Sequence, residues 1–543
     1  MKIEFFGATK VVTGSNILIT TGGYKILLDC GLFQGSKSLE SLNFHDFPFN
    51  PQDIDFLLLS HVHIDHSGRI PKLVKEGFKG RIICTKATKD LAEIMLIDSG
   101  HIQESDVEWE NKKRRRSGLK PIKPLYTVED ASVSLRFFES VLYHQKINLN
   151  ENISVRFRDA GHILGSSIIE LWIRENNTSV KIVFTGDIGM NDKPLIQDPD
   201  IIEEADYLIM ESTYGNRLHE DVEKRMEKLM NIINTTVTRG GAVIIPSFAI
   251  GRTQELIYEL NKYYEYTQGL ETFLRVPIYI DSPMAIAATE IFKRNSYSFS
   301  EEAKKLILEG DNPLDFDNLY FVRTHEESMR LNQANYPRVI ISASGMCTAG
   351  RIRHHLKHNL WKANNSVVFL GYQAEGTLGR IIKEGAKKVK LLGEEIAVEA
   401  EIYSIEGFSG HADQKDLLNW VGKFEKKPKR IFLVHGEEDA STTLAQLIKN
   451  KYQIPITIPN MGYSFEIKNE ILKTHTGEIL EPIKRKENIK KELQEVYNQF
   501  ENLVLNTDRF MDDSLLKREY DPLKNKLLDI QKELLDLSIL LGE

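Results

Sequence analysis

The hexapeptide His-Val-His-Ile-Asp-His at residues 61–66 constrains this chain more than any other feature of its sequence. It follows the apolar run from Phe56 to Leu59, which is typical of a buried strand. Burying imidazoles and carboxylates costs free energy unless each one is hydrogen-bonded or bound to a metal. A core has no other use for four such side chains at one strand end, so the hexapeptide predicts a metal site.

The spacing within the hexapeptide predicts how the ligands divide. On an extended segment His61 and His63 point the same way and can share one ion, whereas Asp65 and His66 turn toward a second position. Two metal ions are therefore expected. Nitrogen and oxygen ligands without cysteine favour zinc, although manganese and iron accept the same ligands. The three cysteines of the chain are isolated in sequence, so they indicate neither a disulfide framework nor a thiolate zinc site.

Three later residues could complete this metal site. His162 lies in a Gly-flanked turn between two strand-like runs, and Asp187 and His435 each end an apolar run. Each residue alone has an ordinary reading as a polar turn or loop residue. Together, after the hexapeptide, they favour a metal site at the edge of a sheet in an α/β region, where strands alternate with helical patterns.

Length and composition indicate a large protein of several domains. The 543 residues are 41% hydrophobic, enough for roughly three or four domains. No apolar run reaches the length of a membrane span, and the first residues show no signal-peptide pattern, so we expect a cytoplasmic protein without membrane contact. A net charge of −8 gives no overall attraction to nucleic acid. Any such binding must come from local basic patches, of which Lys-Lys-Arg-Arg-Arg at 112–116 is the densest, although charge runs are usually just solvated.

The order of these motifs resembles the metallo-β-lactamase superfamily, and more narrowly its β-CASP branch of nucleic-acid-processing nucleases. The resemblance covers roughly residues 1–470. Beyond the residues above, it rests on Asp29 at the end of an early strand, Glu211 in Met-Glu-Ser-Thr-Tyr-Gly, and His411 in Gly-Phe-Ser-Gly-His-Ala-Asp. It implies an α/β fold in which a metallo-β-lactamase αββα sandwich, formed by residues 1–215 and 393–475, carries an inserted β-CASP α/β cap domain at 216–392.

The resemblance also implies a role for each residue. The first zinc ion would be held by His61, His63, His162 and Asp187. The second would be held by Asp65, His66, His435 and the same Asp187, which would bridge the two. A hydroxide between the ions would attack phosphorus. His411 would protonate the leaving oxygen, Glu211 would orient His411, and Asp65 would take part in catalysis as a ligand. Asp29 would accept a hydrogen bond from a ligand imidazole.

The inserted segment repeats a pattern of strand, turn and helix. Residues 242–256, 276–285 and 339–346 each follow it, which predicts a parallel sheet with binding loops at its carboxyl edge. Backbone N–H groups and cationic side chains near such turns suit phosphate. We therefore predict contacts to a nucleic-acid backbone from a set of residues in and after these turns: Ser344, Gly345, Arg252, Arg351 and His355. Arg351 and its histidine neighbours could instead form a solvated or salt-bridged helix face.

The resemblance implies a zinc-dependent ribonuclease. The last motif of the branch is a histidine in RNA-processing members, and it is matched here by His435. The cap sequences favour an endonuclease, and a 5′-to-3′ exonuclease stays open as the alternative. Two readings from other classes also stay open. A small-molecule metallohydrolase acting on thioesters or lactams would share the metal motifs, and a catalytically silent RNA-binding scaffold would share the fold.

The tail at 480–543 lies outside the resemblance. Its apolar residues recur at alternating spacings of four and three within 489–503 and again within 523–541, which predicts two helices joined as a hairpin. Because a two-helix hairpin alone buries little apolar surface, it could pack on its own chain or form a homodimer, and we favour the homodimer.

Overall fold

The computed structural model describes residues 1–175, 178–219, 224–266, 276–371, 373, 376–405, 407–467, 471–474, 493, 496, 521–522 and 524–533. The chain divides into two units, Met1–His475 and Thr476–Glu543. The predicted hairpin of the tail lies largely outside the described residues, among which 521–522 and 524–533 are helical. The homodimer therefore stays a prediction.

The first segment begins with three successive strands, continues with strands and helices in alternation, and ends with six successive strands. Its strands are β1 (Lys2–Phe5), β2 (Ile17–Thr21), β3 (Tyr24–Leu28), β4 (Phe56–Leu58), β5 (Arg81–Thr85), β6 (Phe138–Val141), β7 (Lys146–Asn148), β8 (Ile153–Asp159), β9 (Ser167–Glu175), β10 (Thr178–Phe184) and β11 (Tyr207–Glu211). Its helices are α1 (Lys37–Ser41), α2 (Ile64–Ser67), α3 (Ile70–Lys75), α4 (Lys86–Arg116) and α5 (Val128–Ser134).

The inserted segment follows with the same alternation. Its helices are α6 (Arg225–Thr238), α7 (Arg252–Tyr266), α8 (Pro283–Arg294), α9 (Glu301–Leu308), α10 (His325–Gln333), α11 (Ile352–Asn359) and α12 (Leu378–Lys383). Its strands are β12 (Ala242–Pro246), β13 (Ile278–Ile280), β14 (Leu319–Phe321), β15 (Arg338–Ser342), β16 (Ser366–Phe369), β17 (Lys388–Leu391), β18 (Glu394–Ala397) and β19 (Glu401–Ser404).

The last segment of the first unit returns to the sandwich. It contains α13 (Gln414–Gly422), β20 (Arg430–Val434), α14 (Glu438–Tyr452), β21 (Ile456–Thr457), β22 (Tyr463–Glu466) and β23 (Ile471–Thr474). None of the described helices has both the length and the apolar character that a membrane span needs.

Two sheets form the sandwich. One has the strand order β23-β22-β1-β2-β3-β4-β5-β6 and the other β21-β20-β11-β10-β9-β8-β7. Side chains from both sheets share one buried apolar cluster, in which the Phe432 ring lies 5.2 Å from that of Phe5 and 5.1 Å from that of Phe465. Residues of α3 and α4 pack with the first sheet, and residues of α13 and α14 with the second. The predicted αββα sandwich is confirmed.

Strand direction brings the predicted ligands together. In the first sheet β3 and β4 run parallel, and in the second β10, β11 and β20 run parallel. Because the carboxyl ends of parallel strands meet at the same edge of a sheet, the residues that follow these strands become neighbours. Asp29 and His61 follow two of these strands, and Asp187, Glu211 and His435 lie at the ends of the other three.

The cap sheet is parallel throughout its described pairings, with the order β14-β13-β15-β12-β16-β19. This arrangement is the one that the repeated strand-turn-helix pattern predicts. The strand β19 pairs with β16 in this sheet although it follows the predicted cap boundary at residue 392, and that boundary stays a prediction. Pairing with a distant strand is a tertiary effect that local sequence does not show.

The aromatic cluster between the sheets generates a stability prediction. Phe432→Ala leaves a cavity where two other rings pack, so we expect a loss of about 3–5 kcal/mol in the free energy of unfolding. The matched control is Phe44→Ala, because Phe44 is 63% exposed and its loss should change stability by less than about 0.5 kcal/mol. Urea unfolding followed by tryptophan fluorescence measures both. Equal effects of the two substitutions would contradict this account of the core.

Candidate metal centre and active site

The hexapeptide lies where β4 ends and α2 begins. His61 is fully buried, and its Nδ1 lies 3.1 Å from the hydroxyl of Ser60. The helix that starts at Ile64 turns the chain, with the backbone N–H of His66 donating to the carbonyl of His63 at 2.9 Å. An extended segment followed at once by a helical turn therefore sends the first two histidines one way and Asp65 and His66 another, as the spacing predicts.

One group of ligand atoms forms around three imidazoles. The Nδ1 of His63 lies 3.1 Å from the Nε2 of His61 and 3.2 Å from the Nε2 of His162. The Oδ2 of Asp187 lies 3.5 Å and 3.6 Å from the same two Nε2 atoms. Ligands of a tetrahedral zinc ion with Zn–N distances near 2.05 Å stand roughly 3.3 Å apart, so these spacings fit zinc.

A second group shares Asp187 with the first. The Nε2 atoms of His66 and His435 lie 3.1 Å apart, and the Nε2 of His435 lies 3.3 Å from the Oδ2 of Asp65. The Oδ1 of Asp187 is 3.3 Å from the Nε2 of His66. This oxygen is buried and makes no hydrogen bond with the described residues, which is costly for a carboxylate, so it is placed as a metal ligand would be. The residues present therefore fit the expected zinc.

Besides His61, three more candidate ligand imidazoles are held from behind by hydrogen bonds. The buried carboxylate of Asp29 lies 2.6 Å from the Nδ1 of His66, and the carbonyl of Gly410 lies 3.0 Å from the Nδ1 of His162. The hydroxyl of Thr213 lies 3.1 Å from the Nδ1 of His435. A ring nitrogen that donates to such a partner leaves the other nitrogen free to bind a metal. The predicted role of Asp29 has this geometry.

Sequence reasoning missed two of the residues that support the ligands. Ser60 donates its backbone N–H and its hydroxyl to Asp29, each at 2.8 Å, and so fixes the carboxylate that holds His66. Thr213 fixes His435. Ser60 precedes the hexapeptide and Thr213 lies in the motif around Glu211, but hydroxyl residues at such places are common, so the sequence carries no signal strong enough to select them.

Burial and charge set the protonation of the first group. Burial lowers the pKa of His61 and of His162 well below the usual range of an imidazole, and that of His63 to about 4. These side chains are therefore neutral near pH 7, which is the form that binds a metal. Burial acts to raise the pKa of Asp187, but the imidazoles of His435 and His66 hold it well below its usual range, so Asp187 is charged.

His411 lies beside the metal ligands with one face open. Its Nδ1 is 3.3 Å from both carboxylate oxygens of Glu211, and its side chain is 21% exposed. Glu211 is fully buried and also accepts the backbone N–H of Ile188 at 2.5 Å. The ring of His411 is 4.5 Å from that of His162. The structure thus brings together an imidazole that solvent can reach and a fixed carboxylate, next to the two ligand groups.

Three family models match the chain. Residues 9–130 match the metallo-β-lactamase superfamily, residues 253–382 match the Beta-Casp domain, and residues 395–459 match the Zn-dependent metallo-hydrolase RNA specificity domain. The chain is 38% identical over 448 residues to Ribonuclease TTHA0252 of Thermus thermophilus, an alignment that covers 82% of this chain and 96% of that protein. The chain belongs to the β-CASP branch of the metallo-β-lactamase superfamily.

Two further relatives show the same similarity. The chain is 32% identical over 469 residues to the transcription termination factor FttA of Methanosarcina mazei, covering 84% of this chain and 70% of that protein. It is 30% identical over 473 residues to the FttA of Methanocaldococcus jannaschii, covering 84% and 71%. As a member of this family the chain is a metal-dependent hydrolase. The resemblance to the β-CASP branch that the sequence motifs indicated is confirmed.

Three residues of the β-CASP domain that were predicted to contact the substrate make hydrogen bonds within the protein instead. Arg351 donates to the Oδ1 of Asp281 at 2.6 Å, and His355 lies 2.7 Å from its Oδ2. His355 is fully buried, so it offers no surface to RNA, and the prediction of a backbone contact there is corrected. Its imidazole instead fixes a buried carboxylate. Arg252 hydrogen-bonds to the carbonyl of Leu370.

The loop after β15 holds the other two predicted contacts. The hydroxyl of Ser344 accepts the backbone N–H groups of Thr348 and Ala349 at 3.1 Å and 3.2 Å, so it closes its own turn. Gly345 lies against the ring of Phe248. The structure places Ser344 and Gly345 together, and their contact with RNA stays a prediction.

The basic run at 112–116 ends α4. Lys112 pairs with Glu108 at 2.8 Å, and Lys113 lies 3.1 Å from the centroid of the Trp109 ring. Cationic side chains in the last turn of a helix interact favourably with its dipole. These local contacts account for the run in part, and a role in binding RNA stays a prediction.

The position of Asp187 between the two groups generates a metal-binding prediction. Asp187→Ala removes the carboxylate that both groups share, so we expect purified protein to lose most of its bound zinc while keeping its circular dichroism spectrum. Asp29→Asn should weaken zinc binding by about 10- to 100-fold, the usual effect of losing a residue that orients a ligand. Inductively coupled plasma mass spectrometry measures the zinc, with the exposed Asp46→Ala as the control. Full metal content in Asp187→Ala would show that the ligands are misassigned.

Proposed function

We propose that this chain is a zinc-dependent ribonuclease that hydrolyses phosphodiester bonds of RNA. The observation that carries the proposal is the His411–Glu211 pair beside the two ligand groups, with its 3.3 Å contacts and an imidazole open to solvent. Hydrolysis of a phosphodiester needs an activated water and a proton for the leaving oxygen. The ligand groups suit the first need, and His411 suits the second.

The proposed site would hold two zinc ions. The first would be held by His61, His63, His162 and Asp187, and the second by Asp65, His66, His435 and the same Asp187. Zinc bound here would supply an activated water and offset the negative charge of the phosphate oxygens. The neutral imidazoles of the first group and a charged Asp187 suit this role, because they are ready to bind metal without first losing a proton.

His411 gives up the proton in the proposed reaction. Its Nδ1–H donates to Glu211, which fixes the ring and leaves the Nε2 for the substrate. When the P–O bond breaks, the proton on the Nε2 passes to the leaving oxygen, and the neutral imidazole remains hydrogen-bonded to Glu211.

RNA as the substrate is supported by the relatives. One relative is named a ribonuclease, and the family model at 395–459, which includes His411 and His435, is described as an RNA specificity domain. The cap sequences favour cleavage within the strand. A 5′-to-3′ exonuclease is the main alternative. A small-molecule hydrolase and a catalytically silent RNA-binding scaffold are weaker alternatives, because neither of these two requires the His411–Glu211 pair.

The choice of substrate gives a direct test. We expect the purified protein to cleave single-stranded RNA, with negligible turnover of nitrocefin and of acylglutathione thioesters. Closed circular RNA should be opened, because an endonuclease needs no free end. Gel analysis of RNA labelled at either end measures the products, and Asp187→Ala purified in parallel controls for contaminating nucleases. Cleavage of linear RNA with intact circles would indicate the exonuclease, and thioester hydrolysis without RNA cleavage would refute the proposal.

The role of His411 gives a second test. His411→Ala should lower the cleavage rate by roughly 10² to 10⁴, the usual contribution of general acid catalysis, while zinc content and RNA affinity are retained. Glu211→Gln should show a milder loss. His325→Ala is the matched control, since His325 is exposed and distant in sequence from every ligand.

A substrate with a better leaving group separates proton donation from metal binding. A 5′-bridging phosphorothiolate needs little protonation at departure, so His411→Ala should recover much of its rate on this substrate. Loss of zinc in His411→Ala, or no recovery with the phosphorothiolate, would show that His411 is a ligand or a positioning residue.

A further inference from the structure

Phe248 is a large aromatic side chain beside the proposed metal centre. It belongs to the cap loop between β12 and α7, and it is 36% exposed. Its ring centroid lies 6.4 Å from that of His63, with an angle of 47° between the rings. The cap thus places an aromatic surface next to a metal ligand of the sandwich domain, at a point where a substrate phosphate would be bound.

The loop that carries Phe248 is fixed by its own hydrogen bonds. The carbonyl of Phe248 accepts the hydroxyl of Thr253 at 2.6 Å and its backbone N–H at 3.3 Å. Ser247 donates its backbone N–H to the carbonyl of Ser342 at 3.0 Å, which ties the loop to the neighbouring strand β15. Gly251 donates to the side chain of Gln254 at 2.8 Å. The ring therefore projects from an ordered loop.

Gly345 packs against the same ring. A Cβ atom at this position would stand 2.8 Å from the Cδ2 and 2.9 Å from the Cε2 of Phe248, which is closer than side chains approach one another. The lack of a side chain at Gly345 thus lets the loop after β15 lie against one part of the ring. The exposed remainder of the ring is available to a substrate.

We propose that Phe248 stacks on a nucleobase of the RNA next to the phosphate that is cleaved. The inference rests on the proposed ribonuclease function and adds a substrate contact to it. Proteins that bind single-stranded nucleic acid stack bases on aromatic side chains, and every base has a π face, so such a contact is tolerant of sequence. A phosphate held at the metal ligands brings the bases of its own nucleotides within reach of a ring beside His63.

This contact requires unpaired RNA. A base inside a duplex is covered on both faces by its neighbours, so it cannot stack on a protein ring without leaving the helix. The proposed enzyme should therefore cleave single-stranded segments without strong preference for the base that stacks. The ring would fix the position of the nucleotide, while His411 and the ligand groups act on the phosphate.

The test combines a protein variant with an altered RNA. The substrate is a single-stranded RNA with one cleavage site, in which an abasic nucleotide replaces each position near that site in turn. At one position next to the cleaved bond, the abasic change should lower kcat/KM of the unaltered enzyme by roughly 5- to 150-fold, which corresponds to one stacked base. Phe248→Ala should lower kcat/KM on intact RNA by a similar factor. On that abasic RNA, kcat/KM of the Phe248→Ala variant should be no lower than on intact RNA.

Non-additive losses at one position identify the stacking pair. Phe248→Trp should retain activity, because an aromatic face remains, whereas Phe248→Leu keeps apolar bulk without a π face and should behave as Phe248→Ala. Trp361→Ala, at an exposed aromatic of the cap, is the matched control. Zinc content and the unfolding midpoint are measured for each variant. If Phe248→Ala proves to have a folding defect, the result with Phe248→Leu decides whether the ring stacks on a base.

The outcomes separate this inference from the proposed function. If the unaltered enzyme cleaves RNA but the losses from Phe248→Leu and from the abasic changes are additive at every position, the stacking contact is refuted and the ribonuclease stands. Unchanged kcat/KM in both Phe248→Ala and Phe248→Leu refutes it as well. If the unaltered enzyme does not cleave RNA, the proposed function fails and this inference fails with it.

Discussion

The buried carboxylate of Asp187 is the constraint on which the rest of the site depends. It follows a central strand of the second sheet, and each of its oxygens faces a different group of imidazoles. A charged carboxylate in this position is stable only if cations or hydrogen bonds offset its loss of water. The surrounding imidazoles do so in part, and a bound metal would complete the compensation. Both ligand groups therefore depend on where this one strand ends.

Two buried carboxylates act on neighbouring imidazoles with different results. Asp29 holds His66, whose side chain is 1% exposed, and Glu211 holds His411, whose side chain is 21% exposed. The same type of contact thus fixes a candidate metal ligand in one case and a candidate proton donor in the other. What separates them is access to solvent and substrate, since a donor must reach the leaving group and a ligand need not.

Some cap residues hold the cap itself together, and others form a surface near the candidate metal ligands. Asp281, which is fully buried, accepts hydrogen bonds from Arg351, His355 and Ser328. These bonds join β13 to α10 and α11, so the cationic residues that suit phosphate by type serve mainly to hold the cap sheet and its helices together. The surface that the cap presents near the metal ligands comes instead from the loop after β12, through an aromatic ring and not through charge.

The sequence by itself was enough to predict a metal site at the hexapeptide and to predict the fold class. The two-residue spacing of His61 and His63 and the apolar run before them are local, so they could be interpreted without a structure. The positions of Asp187, Glu211 and His435 at strand ends could also be predicted, because an apolar run that stops at a polar residue is a local pattern. The order of these motifs identified the family.

Only the tertiary structure decided which of these residues meet. His162 and His435 are far from the hexapeptide in sequence, and their positions depend on which strands pair and in which direction. Packing also decided that His355 is buried, that β19 belongs to the cap sheet, and that Phe248 lies beside His63. The reason is physical: residue type and local spacing set what a side chain can do, whereas strand pairing and the contact between domains set what it is next to.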